Sequence, residues 1–98
     1  MHAWTLESLR SQRKEIVSIA ARRGAYNLRV FGSVARGEAG ESSDIDLVVN
    51  FEPGRSLLDH GGLIADLEEY LGCKVDVLSA RGIRERMRAR VENEAVAL

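Results

Sequence analysis

The sequence predicts a small α/β (α+β) domain, a mixed sheet of three to four strands flanked by helices. Apolar residues recur at helical spacing near the start, in the middle and towards the end of the chain, and short β-branched runs alternate with those stretches. Clusters of Gly, Pro and Ser separate the two kinds of segment. Strands alternating with helices belong to α/β sheets, and a helix between the second and third strands lets that pair run parallel.

Leu6, Leu9, Ile16, Val17 and Ala20 recur near a helical period, with Thr5 placed to cap the first helix and Gly24 to stop it. Asn27 to Gly32, with Val30 and Phe31, reads as the first strand; a polar, Gly-rich stretch with room for a short helix follows from Arg36 to Ser43. Ile45 to Phe51 reads as a buried strand ended by the turn Pro53-Gly54. From Ser56, the residues Leu57, Leu63, Ile64, Leu67 and Leu71 predict a second helix stopped by Gly72, although Gly61-Gly62 weakens it by roughly 1 kcal/mol per glycine. Lys74 to Leu78 is the third strand, with Val75 and Val77 on one face. Ser79 is placed to cap a last helix through Ile83, Met87 and Val91, and Ala95 to Leu98 offers a closing strand.

The chain of 98 residues is read as a single domain, 1–98, with no room for a second lobe to grip a large substrate. Its 45% apolar and 30% charged residues are those of a globular protein, and no apolar run is long enough to span a bilayer. The opening Met1 to Glu7 lacks the basic cluster and apolar core of a signal peptide, so the expected location is the cytoplasm. One cysteine, Cys73, rules out an intrachain disulfide, and His2 and His60 have no second ligand nearby at zinc spacing. A formal net charge of −1 argues against nucleic acid as a partner, because such binding rests on Lys and Arg neutralising phosphates.

The chemistry lies in Gly32-Ser33 and, after ten residues, Asp44-Ile45-Asp46. A glycine allows close backbone approach, and Ser33 has both an amide and a hydroxyl to donate to phosphate oxygens. Alternation on a strand sends Asp44 and Asp46 to one face, with Cα atoms about 6.6 Å apart, a spacing that lets both carboxylates converge on a hard cation such as Mg2+. Asp76, in the next strand, is the third candidate, and with it the site has enough carboxylates for two ions about 3.5 to 4 Å apart. Taken alone, Asp76 is equally well read as the partner of Lys74. Arg36, one helical turn after Ser33, is a forked cation suited to phosphate, with Gly37 closing the short helix. Neither a Walker loop nor a G-x-G-x-x-G string is present.

Gly32-Ser33, Arg36-Gly37 and Asp44-x-Asp46 in this order resemble the nucleotidyltransferase superfamily that includes DNA polymerase beta. More closely, the chain resembles the minimal nucleotidyltransferase (MNT) group, antitoxin partners of HEPN-domain toxins. The likeness extends through Leu71-Gly72, Lys74-Val75-Asp76 and Glu94-Ala95-Val96. It implies the nucleotidyltransferase fold, ATP phosphates bound at Gly32, Ser33 and Arg36, and Mg2+ held by Asp44, Asp46 and Asp76 as the catalytic set. It also implies transfer of AMP to a hydroxyl, with Asp76 nearest the attacking group, and in the antitoxin group the acceptor is a tyrosine of the HEPN toxin.

Arg81, Arg84 and Arg88 fall on one face of the last predicted helix, with Arg86 and Arg90 close by. Interleaved Glu85, Glu92 and Glu94 favour a solvated, salt-bridged face there. Tyr26 and Tyr70 are placed to cover the edge of the core rather than to accept a nucleotide. The toxin string Arg-x-x-x-x-His-x-Tyr is missing, since Gly62 stands where its tyrosine belongs after Arg55 and His60, so an acceptor of that kind must be another chain. Two alternatives remain beside the protein adenylyltransferase: an antitoxin that neutralises its toxin by binding alone, and an adenylyltransferase acting on a small hydroxylated molecule. Enzymes of the latter kind usually carry an extra helical domain, for which this chain has no room.

Overall fold

The structure of the chain, a computed structural model, describes residues 4–38 and 44–98. Helices α1 (Leu6–Ser11) and α2 (Arg13–Arg22) precede strand β1 (Ala25–Phe31), the short helix α3 (Gly32–Arg36) and strand β2 (Ile45–Phe51). Helix α4 (Leu57–Leu71), strand β3 (Val75–Ser79), a 3-10 turn (Ala80–Gly82), helix α5 (Glu85–Glu94) and strand β4 (Val96–Ala97) complete the order. Most of the polar loop expected after Arg36, and the His2 expectation, lie outside the described residues.

The sheet runs β3-β2-β1-β4, with β2 and β3 parallel as the intervening helix predicts, and β1 antiparallel to both β2 and β4. Period-two alternation decides which side chains enter the core. Leu28 and Val30 of β1, Ile45, Leu47 and Val49 of β2, and Val75 and Val77 of β3 join one buried cluster with Leu9, Ile16, Ile19 and Ala20 from α1 and α2, and Leu63, Leu67 and Leu71 from α4. Asp46 and Asp76, lying between these positions, therefore point to the opposite face of the sheet. Val48 is fully buried there too, so the second face is covered in part rather than left to water.

Side-chain caps mark where α1 and α4 begin. The Thr5 side chain accepts from the Ser8 amide at 3.0 Å, and Ser56 forms a capping box with Asp59 in front of α4. The single first helix expected from periodicity is two. Gln12 departs from helical geometry, its amide donating to Leu9 O at 3.0 Å in the i→i−3 pattern of a tightened turn, and its side chain accepts from the Tyr70 hydroxyl at 2.5 Å. The last helix also starts later than expected. Ser79 ends β3 and makes no side-chain cap, and the Gly82-containing 3-10 turn leaves Ile83 outside α5, which begins after Arg84.

Helix α4 runs unbroken through Gly61-Gly62, and one of these glycines makes room for a long-range contact. A Cβ at Gly62 would overlap the Arg23 guanidinium, which crosses there to pair with Asp66 at 2.9 Å. At the C-terminal end, the Trp4 indole donates to Leu71 O at 3.0 Å, tying the start of the chain to the end of α4. Among the described residues, no helix is long and apolar enough to cross a membrane.

Candidate active site

The carboxylates are assembled by strand register. Parallel pairing sets Asp46 opposite Asp76, and antiparallel pairing sets Asp46 opposite Phe31, the residue before Gly32. Neighbouring strands lie about 4.8 Å apart, so Asp46 stands between the Gly32 turn on one side and Asp76 on the other. Asp44 immediately precedes β2, where the Ile45 amide donates to Lys74 O at 3.0 Å and extends the parallel pairing to the strand's first residue.

Gly32 and Asp46 touch. Gly32 is buried with φ of 75°, a left-handed conformation that side chains resist, and a Cβ added there would overlap Asp46 Oδ2 and lie 3.2 Å from Asp46 Cγ. The glycine of the Gly-Ser pair is thus required by the carboxylate beside it as well as by the turn. From this point α3 runs for one helical turn and ends at Gly37 with φ of 75°, as the sequence predicts. Its first amides have no partner within the helix, and the half-buried Ser33 hydroxyl makes no hydrogen bond among the described residues.

Asp46 has its carboxyl pushed up from its ordinary value. Burial is the largest cause, followed by the negative charges of Asp76 and Asp44, while the Arg36 cation opposes them. Among the described residues, none of Asp44, Asp46 and Asp76 accepts a hydrogen bond or stands in a salt bridge, including the Lys74 pairing that offered another account of Asp76. Three acidic groups without a salt-bridge partner among the described residues suit a hard, oxygen-seeking metal. Among the described residues, however, no three acidic, His or Cys side chains converge closely enough to form a finished ligand cluster.

Arg36 is placed near the site but is engaged by acids. Its Nε donates to Glu38 Oε2 at 2.9 Å, and its guanidinium lies 3.9 Å from Glu94 Oε2. Glu94 also pairs with Arg90 at 3.3 Å, so it joins α3 to α5, a role its surface-type spacing in the sequence did not mark. Glu68 was missed altogether. Its Oε2 accepts from the Val75 amide at 3.0 Å, fixing the start of the strand that carries Asp76, and a contact between a helix end and a later strand has no local spacing to reveal it. The His60 ring lies with Nε2 2.7 Å from Val77 O and packs at 5.4 Å between centroids on Phe51, a structural use on the core side of β3. Cys73 is half-buried, and burial, then Asp44 and Glu68, push its thiol up.

A concavity of about 700 Å3 lies between α2 and α4, lined by Ile19, Arg22, Arg23, Asp66, Glu69 and Tyr70. None of these belongs to the carboxylate group.

The nucleotidyltransferase domain family matches residues 8–98. A protein adenylyltransferase, MntA, from Thermococcus cleftensis is 36% identical over 91 residues, spanning 93% of this chain and 90% of the relative. A solved chain described as a minimal nucleotidyltransferase is 54% identical and superposes with a TM-score of 0.85 over 97% of each chain. The complex of the tri-AMPylated Shewanella oneidensis HEPN toxin with its MNT antitoxin matches with a TM-score of 0.69 at 17% identity, over 90% of this chain and 69% of that one, a likeness of fold alone. With its strand register, its Gly32 turn and its match over nearly the whole length, the chain belongs to the nucleotidyltransferase domain family.

Proposed function

We propose that the chain is a Mg2+-dependent protein adenylyltransferase that moves AMP from ATP to a tyrosine hydroxyl of a HEPN-type toxin, in the cytoplasm, as the antitoxin of the pair. The observation that carries the reading is the contact of Gly32 with Asp46 and the register of Asp46 with Asp76, which put the Gly32-Ser33 turn and the carboxylates side by side. The adenylyltransferase relative and the toxin-bound neighbour support the acceptor class.

In this reading Gly32 leaves room for the triphosphate, and the Ser33 amide and hydroxyl donate to its oxygens. Arg36, exchanging Glu38 for phosphate, adds a charge-assisted contact. Asp44, Asp46 and Asp76 would hold Mg2+, which when bound neutralises phosphate charge and activates the attacking oxygen. Asp76, the exposed member of the set, takes the acceptor's proton. The hydroxyl oxygen forms a bond to the α-phosphorus, the bond from that phosphorus to the bridging oxygen breaks, and pyrophosphate leaves.

Incubating the chain with labelled ATP, Mg2+ and the toxin should label the toxin, and Asp44→Asn or Asp46→Asn should abolish it. Labelling that survives both substitutions refutes the site. Full neutralisation of the toxin by an Asp46→Asn chain that no longer labels it would favour the binding-only antitoxin instead.

A further inference from the structure

We propose that the acceptor protein docks along a strip from Leu57-Leu58, over the arginine-rich segment 81–90, to the Gly32 turn, and that its complementary face is acidic around an apolar centre. The proposal rests on the protein-acceptor reading above. Leu57 and Leu58 open α4 yet are 86% and 84% exposed, the most exposed large apolar side chains among the described residues. Beside them lies a concavity of about 480 Å3 in which Phe51, Pro53 and Leu57 stand among Glu52, Arg55 and Arg81. Arg81 therefore belongs both to this mixed corner beside the leucines and to the arginine run.

From that corner α5, about 15 Å long at ten residues, leads to Glu94 and its 3.9 Å contact with Arg36 of α3. The path thus joins the exposed leucines to the site. Arg81, Arg84, Arg86, Arg88 and Arg90 are all exposed along it, and among the described residues only Arg90 has an acidic partner. Glu85 and Glu92, whose interleaving predicts a salt-bridged face, pair with none of them. The result is a concentration of uncompensated positive charge on a chain whose net charge is −1. Closely spaced like charges on a helix repel, and an acidic partner relieves that repulsion while arginine rims an apolar contact. An RNA backbone would satisfy the arginines but gain little from two leucines, which favours a protein surface.

The test uses the full chain with the HEPN-type toxin as probe and compares Leu57→Asp/Leu58→Asp and Arg84→Glu/Arg88→Glu with wild type, each checked for an unchanged circular dichroism spectrum. Each pair should raise the Kd and KM for the toxin about tenfold or more, while the Kd for ATP stays within about twofold. The arginine effect should shrink as salt is raised. Toxin binding within about twofold of wild type for both pairs overturns the docking strip. Loss of tRNA binding in the arginine pair with toxin binding intact overturns it in favour of RNA. Failure of the wild-type chain to bind or label the toxin defeats the acceptor reading itself, whereas normal labelling by wild type and both variants defeats the strip alone.

Discussion

Gly32→Ala tests the link between turn and carboxylate through a cycle of four proteins. Two costs add at this position. The backbone φ of 75° imposes a left-handed conformation on alanine, costing about 1 to 2 kcal/mol. The new Cβ also overlaps Asp46 Oδ2 and crowds Cγ at 3.2 Å, but it stands 3.5 Å from Asp46 Cβ, an ordinary contact. Truncating the carboxylate with Asp46→Ala therefore removes the second cost and leaves the first. Gly32→Ala should lower the Tm in the wild-type background by about 4 to 8 °C for each kcal/mol lost, and by less in the Asp46→Ala background. The coupling between the two substitutions should fall in the range of about 0.5 to 3 kcal/mol found for residues in contact. Thermal and urea unfolding of the four chains measure it. An equal loss in both backgrounds would refute the claim that Asp46 is what makes glycine necessary here.

Asp46→Asn should stabilise the chain without divalent cations by about 0.5 to 1 kcal/mol at neutral pH, a screened estimate for a partly exposed carboxylate facing Asp76 and Asp44. Because the folded state raises this carboxyl above its unfolded value, the wild type's relative stability is fully present in acid and is lost as pH rises through the folded pKa. The Asn variant's advantage should accordingly be absent in acid and grow as pH rises through the folded pKa, which urea titrations across that range would read. Adding Mg2+ should raise the Tm of wild type and leave that of Asp46→Asn unchanged. Glu68→Ala leaves the Val75 amide without its 3.0 Å partner, so it should cost about 1 to 3 kcal/mol and speed hydrogen exchange at Val75 and Asp76. Unchanged exchange at both amides would show that Glu68 does not fix the strand.

The strands and the placement of the acids were legible because strand periodicity is strict. Once Ile45, Leu47, Val75 and Val77 are assigned to the core, Asp46 and Asp76 can only face the other way, and the helix between their strands makes the two neighbours parallel. Some caps were legible for a similar reason, since Thr5, Gly37 and Gly72 act on residues a few positions away, whereas Ser79, expected to cap the last helix, makes no side-chain cap. What local pattern could not reveal depends on residues far apart in the chain. The break at Gln12 is marked by its bond to Tyr70, Gly62 accommodates Arg23, and Glu94 meets Arg36 only after α5 has folded back onto α3. The arginine run failed differently: spacing made partners available in Glu85 and Glu92, but helical spacing does not decide which rotamers pair.

The intact mass of the HEPN-type toxin co-expressed with the chain tests the central claim most directly. The account predicts a gain of one or more whole AMP units with the wild-type chain and none with Asp46→Asn. An unmodified toxin beside the wild type, or the same gain beside Asp46→Asn, would contradict it.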